Sequence, residues 1–167
     1  MVNFREKMLS FRHLCYKNGY LFAAFLIPVI LMGIAYISFG IYPFGGRSVL
    51  SLDLNAQYVF YFDYVHDVIG NGESLMYSWS RNLSGEFMGI IGYYLASPFN
   101  ILVWIFPRSM ITEGLLTMML AKFGACGVTF ALFAHKSQKL SKTTAVLFAP
   151  MYALCAYMIV QTMDPMW

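Results

Sequence analysis

The chain has 167 residues, of which 59% are hydrophobic, 18% aromatic and only 11% charged. A water-soluble domain carries about 25% charged residues, and so short a chain of this composition would leave too much apolar surface in water. A soluble fold is excluded, and the formal charge of +3 acquires meaning only when it is placed on a membrane topology.

Residues 1–19 carry Arg5, Lys7, Arg12 and Lys17 against the single acid Glu6. No charge then occurs until Arg47, and YLFAAFLIPVILMGIAYISFG (Tyr20 to Gly40) is long enough to span about 30 Å of hydrocarbon. The first span is placed at 20–42. It is too long for a signal-peptide core and no A-x-A site follows, so it reads as an uncleaved anchor. Its Pro28 is tolerable in a membrane helix. The basic flank puts the N-terminus in the cytoplasm and the following segment, 43–110, outside.

That outer loop is net acidic. Between Ile41 and Glu113 the bases are Arg47, Arg81 and Arg108, and the acids are Asp53, Asp63, Asp67, Glu73, Glu86 and Glu113. Interfacial helices are predicted at about 54–70, 86–96 and 98–106. In the first, LNAQYVFYFDYVHDVIG, polar Asp63, His66, Asp67 and Gly70 recur at i, i+3, i+4 and i+7 among aromatic and aliphatic residues, the pattern of a helix lying at a membrane surface with a solvated polar face. FMGIIGYYLASPFNILVWIF (87–106) is apolar enough to cross. It is broken at Ser97-Pro98, where the residue before proline is pushed out of helix. Two short helices dipping into the outer interface are expected there.

A second span is placed at 111–134, a cytoplasmic loop with Lys136, Lys139 and Lys142 at 135–142, and a third span at 143–163. The lysines fix the loop inside by the positive-inside rule, and the parity this sets is why 87–106 should not cross. Small Ala121, Gly124, Ala125 and Gly127 would let helices approach closely. Residues 164–167 return outside, with Asp164 and an interfacial Trp167. The chain stops just after the third span, with neither a basic terminus nor a hydrophilic tail. Cys15, Cys126 and Cys155 form no CxxC pair, so neither a disulfide nor a metal cluster is expected. Asn82-Leu83-Ser84 matches a glycosylation sequon by chance. The expected fold is an all-α polytopic membrane protein with three spans and a loop of juxtamembrane helices.

Asp53, in SLDLNAQY, has two readings that do not exclude one another. One is a helix N-cap accepting from a backbone N–H two or three residues on. The other is a carboxylate held at the membrane surface as a general base or metal ligand. Lys122 lies in the middle of the second span, where a lysine costs roughly 2.5–3.5 kcal/mol to insert. It either snorkels or faces the bundle interior to bind an anion.

The ordered blocks IYPFGGRSVLSLDLNAQY, YSWSRNLSGEFMGIIGYYLASPFNILVWIFP and LAKFGACGVTFALFA resemble the start of the YfhO family of bacterial membrane proteins. The likeness runs from about Lys17 to Trp167. It implies a glycosyltransferase of the GT-C type in the bacterial cytoplasmic (inner) membrane; such proteins have many more spans, so this chain is expected to be the N-terminal portion of a larger enzyme, inactive alone. Such an enzyme takes a sugar from a polyprenyl-phosphate donor to a cell-envelope glycopolymer, such as lipoteichoic acid, outside the cytoplasm. In that superfamily an essential acid follows the first span, the place of Asp53. The resemblance also places a lysine at Lys122, and marks Asn55, Gln57, Tyr58 and Glu86 as candidate substrate-binding residues. At Glu86 the family more often has an amide, which favours a solvated loop acid. A divalent ion at Asp53 is the cofactor left open; the implied partners are membrane lipid, sugar donor and acceptor, with no nucleic acid. The competing class is a non-enzymatic membrane protein, a transporter fragment or assembly subunit, in which Asp53 only caps a helix.

Overall fold

The computed structural model describes residues 4–79 and 85–162, with side chains described from Asn18 onward. The basic N-terminal side chains, Cys15, Arg81, the sequon Asn82-Leu83-Ser84, Asp164 and Trp167 lie outside that description. The chain is an all-α membrane protein. Among the described residues two helices are long and apolar enough to cross a membrane, Asn18–Ser38 and Arg108–Lys136, and a bent pair would make a third span if counted as one. The contacts divide into one unit of Met1–Gly33 with Phe123–Cys155, and another of Ile34–Lys122 with Ala156–Trp167.

Helix α1 (Phe4–Ser38) carries the first of these spans. It ends four residues before position 42 because Gly40 adopts φ +64°, a left-handed conformation glycine takes without steric cost. The Ile41 N–H then reaches the Tyr36 carbonyl and the Gly40 N–H reaches that of Ile37, closing a Schellman turn. Residues 40–47 fold into a small ring. The Tyr42 N–H donates to the Arg47 carbonyl at 2.7 Å, and the Arg47 N–H to that of Gly40 at 3.0 Å. A Cβ at Gly45 would sit 2.5 Å from the Gly40 oxygen, so only glycine fits there.

In the unit that contains Ile34–Lys122 a π-helical turn, Leu54–Tyr58, leads into α2 (Val59–Asn71), which Gly72 ends at φ +71°. A two-residue antiparallel ladder, β1 (Tyr77–Ser78) with β2 (Gly85–Glu86), adds a strand pair that helical periodicity did not anticipate. Then come α3 (Met88–Ile90) with a π turn at Ile91–Leu95, and a 3-10 turn, Pro98–Asn100, opening α4 (Ile101–Ile105). The two arms, Met88–Leu95 and Pro98–Ile105, bend by 96° at the break around Ser97, which is extended before Pro98. Each arm is only about 12 Å long at 1.5 Å per residue.

A 3-10 turn, Arg108–Met110, opens α5 (Ile111–Lys136). Leu54, Tyr58, Phe62 and Val65 of the π turn and α2 share one buried core with Phe87, Ile90, Leu95 and Val103, and with Ile111, Leu115, Met118 and Met119 of α5. A Cβ at Gly114 would lie 3.1 Å from the Val103 backbone, so α4 lies close against α5.

The other unit brings its helices together over small residues, with Phe123 buried beside them at 1% exposure. Gly127 of α5 meets the backbone of Ala24, and Gly124 meets the Phe25 ring. The buried core is Ala24, Ala131, Ala134, Ala145 and Ala149. Helix α6 (Lys142–Ala153) contributes a buried stripe of Ala145, Ala149 and Ala153. Ser141 caps it, accepting from the Thr144 N–H at 3.1 Å. The His135 ring nitrogen Nδ1 lies 2.8 Å from the Leu140 carbonyl across the connecting loop, and Lys142 sits 5.3 Å over the Tyr20 ring.

The expected third span is not one helix. α6 stops at Ala153, and α7 (Ala156–Gln161) restarts after a tightened turn in which the Cys155 N–H bonds the Tyr152 carbonyl. Hydropathy averaged over 143–163 cannot register so short a break, and Pro150 already withdraws one backbone donor from this helix.

Candidate functional site

Asp53 stands where the chain changes conformation. Leu52 before it has φ +48°, left-handed and uncommon for a residue with a Cβ. After it the Val59 N–H bonds the Leu54 carbonyl, five residues back, making the π turn. Strained residues and π turns both concentrate at functional sites. The driving force is burial: Leu54 and Tyr58 are both 0% exposed, while Leu52, at 72%, is left outside.

The capping reading of Asp53 fails. Its own backbone is already helical, and its side chain makes no cap hydrogen bond. The carboxylate is exposed and has no hydrogen bond or ion pair with any described residue. Asn55 is exposed and Gln57 half-buried on the same short turn. Tyr58 is elsewhere: it lies wholly in the core, edge-to-face with Tyr94 at 5.3 Å, and so supports the turn rather than presenting a surface.

Lys122 is half-buried on α5. It follows Met119, Met118 and Leu115 by three, four and seven residues, which places it on the helix face that packs into the loop core. It therefore extends the protein-facing stripe of α5 by one turn. Glu86 acts locally. Its carboxylate accepts from the Gly89 N–H at the start of α3, and a Cβ at Gly89 would lie 2.8 Å from that carboxylate.

The predicted solvated face of α2 is not free. Arg108 donates through Nε and Nη2 to both oxygens of Asp63, at 2.5 and 2.6 Å, and through Nη1 to Asp67. His66 is half-buried, with its Nε2 enclosed and unpartnered among the described residues. One arginine thus clamps α2 to the start of α5 with the two-pronged geometry guanidinium favours. Asp63 and Asp67, four residues apart, form one acidic step along the helix. That spacing was the available signal, since such a pair suits a single cation. Tyr42 adds a second tie, donating to Glu113 Oε1 at 3.0 Å.

Among the described residues no three His, Cys, Asp or Glu side chains gather to hold a metal. An ion at Asp53 would rest on one protein carboxylate, with the remaining ligands from phosphate and water, an arrangement that suits Mg²⁺.

A family model described as "Bacterial membrane protein YfhO" matches residues 23–167. No curated protein and no solved structure matches the chain. The family match begins inside α1 and takes in the loop, the Asp53 turn and the α5 stripe, so the chain belongs to the YfhO family of bacterial membrane proteins.

Proposed function

We propose that this chain supplies the first outer loop of a membrane glycosyltransferase. The enzyme moves a sugar from a polyprenyl-phosphate donor to a cell-envelope glycopolymer, with lipoteichoic acid as the leading candidate. The observation that carries this reading is the uncommitted carboxylate of Asp53 on a strained, π-helical turn in a loop whose other acids are largely engaged. In this reading the protein lies in the bacterial cytoplasmic membrane with its N-terminus inside, and the arms Met88–Leu95 and Pro98–Ile105 stay at the outer interface. Their 96° bend supports that placement.

The acceptor hydroxyl oxygen attacks C1 of the sugar. The bond from C1 to the phosphate oxygen breaks, and polyprenyl phosphate leaves with the electron pair. Asp53 takes the hydroxyl proton, or orients a divalent ion against the phosphate. Asn55 and Gln57, beside it, present amides to sugar hydroxyls. Lys122, on the protein-facing stripe of α5, offers its ammonium to the donor phosphate, which would offset its cost of insertion.

The test is transfer by the complete gene product carrying Asp53→Asn. Asn keeps the shape of Asp but loses its basicity, so transfer should fall by about 10²–10⁴-fold with insertion unchanged. Lys122→Met should insert at least as well as the parent and lose donor binding. Parental activity in Asp53→Asn would strike Asp53 from the transfer step, whereas a complete gene product with no transfer activity of its own would return the chain to the non-enzymatic reading.

A further inference from the structure

The C-terminal end of α2 and the segment after it enclose a cleft of about 520 Å³, within the range of small-molecule sites. Its apolar wall is aromatic: Tyr64, Tyr77 and Trp79. Its rim is polar: Asp67, Asn71, Glu73 and Ser74. Asp67 and Asp53 are separated by about 20 Å along the helix, at 1.5 Å per residue, so this cleft is distinct from the Asp53 turn.

The aromatic arrangement selects among ligands. Tyr77 and Trp79 stand edge-to-face, with centroids 4.9 Å apart and planes at 67°. Such a pair spends one ring's edge on the other's face. Centroids this close leave no room for a cation to sit between the two rings, as a cage for an organic cation requires. Trp79 is 82% exposed, a large apolar surface left in water. Beneath it the wall is braced, since the Tyr64 hydroxyl lies 3.4 Å from the carbonyls of both Ser74 and Tyr77.

The rim offers both donors and acceptors. Only Oδ1 of Asp67 is spent on Arg108, and Glu73 makes no hydrogen bond or ion pair with any described residue. Asn71 supplies amide donors. A flat C–H face for the exposed Trp79 ring and hydroxyls to donate to carboxylates describe a neutral pyranose. The two carboxylates disfavour a phosphate group.

We infer that this cleft is a glycan subsite, holding a neutral sugar unit of a polymeric acceptor at a distance from the reacting hydroxyl. The glycan class rests on the transfer reading above, whereas the cleft and its chemistry do not involve Asp53.

The experiment is saturation-transfer NMR on the purified protein in lipid nanodiscs. The probes are a β-1,4-linked N-acetylglucosamine tetrasaccharide and maltotetraose, with choline as the organic-cation comparison. Saturation should pass to the pyranose C–H protons of at least one glycan and not to choline. Trp79→Ala, a change at an exposed side chain that leaves the core intact, should weaken binding about tenfold, the scale of one lost aromatic contact. Glu73→Gln should weaken it less. Asp53→Asn should bind as the parent does, which separates this subsite from transfer: an Asp53→Asn protein that keeps transfer strikes Asp53 from that reaction, a parent protein without transfer removes the transfer reading, and either leaves the binding result standing. No transfer to either glycan, binding unaffected by Trp79→Ala, or preferential binding of choline would each overturn the proposal.

Discussion

The two units of this protein bury themselves with opposite kinds of side chain. The unit that contains Ile34–Lys122, the loop unit, packs Tyr58, Phe62, Phe87 and Met118 into a core of large residues. The other unit brings helices together over Ala24, Ala131, Ala134, Ala145 and Ala149. The difference matches two ways of bringing helices together. Helices that leave water gain about 25 cal/mol for each Å² of apolar surface withdrawn from it. Helices in hydrocarbon gain nothing from leaving lipid, so they associate through close backbone contact, which small residues allow. The loop unit is therefore sensitive to loss of volume, and the alanine unit to its addition.

The largest expected effect tests the first half of that contrast. Phe62 is 0% exposed, and Phe62→Ala should cost about 3–5 kcal/mol on chemical unfolding in detergent. A cost below about 1 kcal/mol would mean the loop core is loosely packed. Next comes the reverse substitution in the other unit. A Cβ at Gly127 would collide with the Ala24 carbonyl oxygen, so Gly127→Ala must push two backbones apart and should cost about 1–3 kcal/mol. Gly124→Ala meets only the Phe25 ring, at 2.5 Å, and should cost less because a side chain can turn aside. Equal costs at the two glycines would show that backbone approach is not what limits the contact. The smallest effect concerns the exposed clamp. Arg108→Gln should raise amide hydrogen exchange across 59–71 while leaving the alanine unit unchanged. Salt at 1 M, where the screening length is about 3 Å, should do part of the same. Exchange that stays at the parental level would reduce the clamp to a surface ion pair without consequence.

Much of this architecture was legible in the sequence, for reasons specific to each element. The uncharged run after Lys17 marks α1, and the helical recurrence of Asp63, His66, Asp67 and Gly70 among aromatic and aliphatic residues marks α2. Ser97-Pro98 marks the bend, because proline restricts its predecessor by local sterics alone. What escaped depends on partners distant in sequence. Arg108 meets Asp63 across 45 positions. The left-handed Leu52 and the π turn after it arise because Leu54 and Tyr58 must both reach the same core, a demand no local pattern carries. The restart after Ala153 has neither proline nor glycine at the break to announce it. At the candidate site the place of Asp53 was readable and its freedom was not. An acid at the head of a helical segment looks like a cap until its own backbone is seen to be helical.

The ring of residues 40–47 bears on how far Asp53 can travel. Thirteen residues of free chain between the end of a span and a reactive group would let that group wander over some 40 Å. Here the ring folds the first part of that length back on itself, and Ser48–Leu52 are all that remain to act as a leash. Even fully drawn out, they keep the Asp53 backbone within about 20 Å of Arg47. Under the proposed transfer reading, in which Asp53 meets a lipid-borne donor at one depth, such a limit would serve the reaction. Adding or removing residues between Ser48 and Leu52 would reset that depth without touching any side chain of the site.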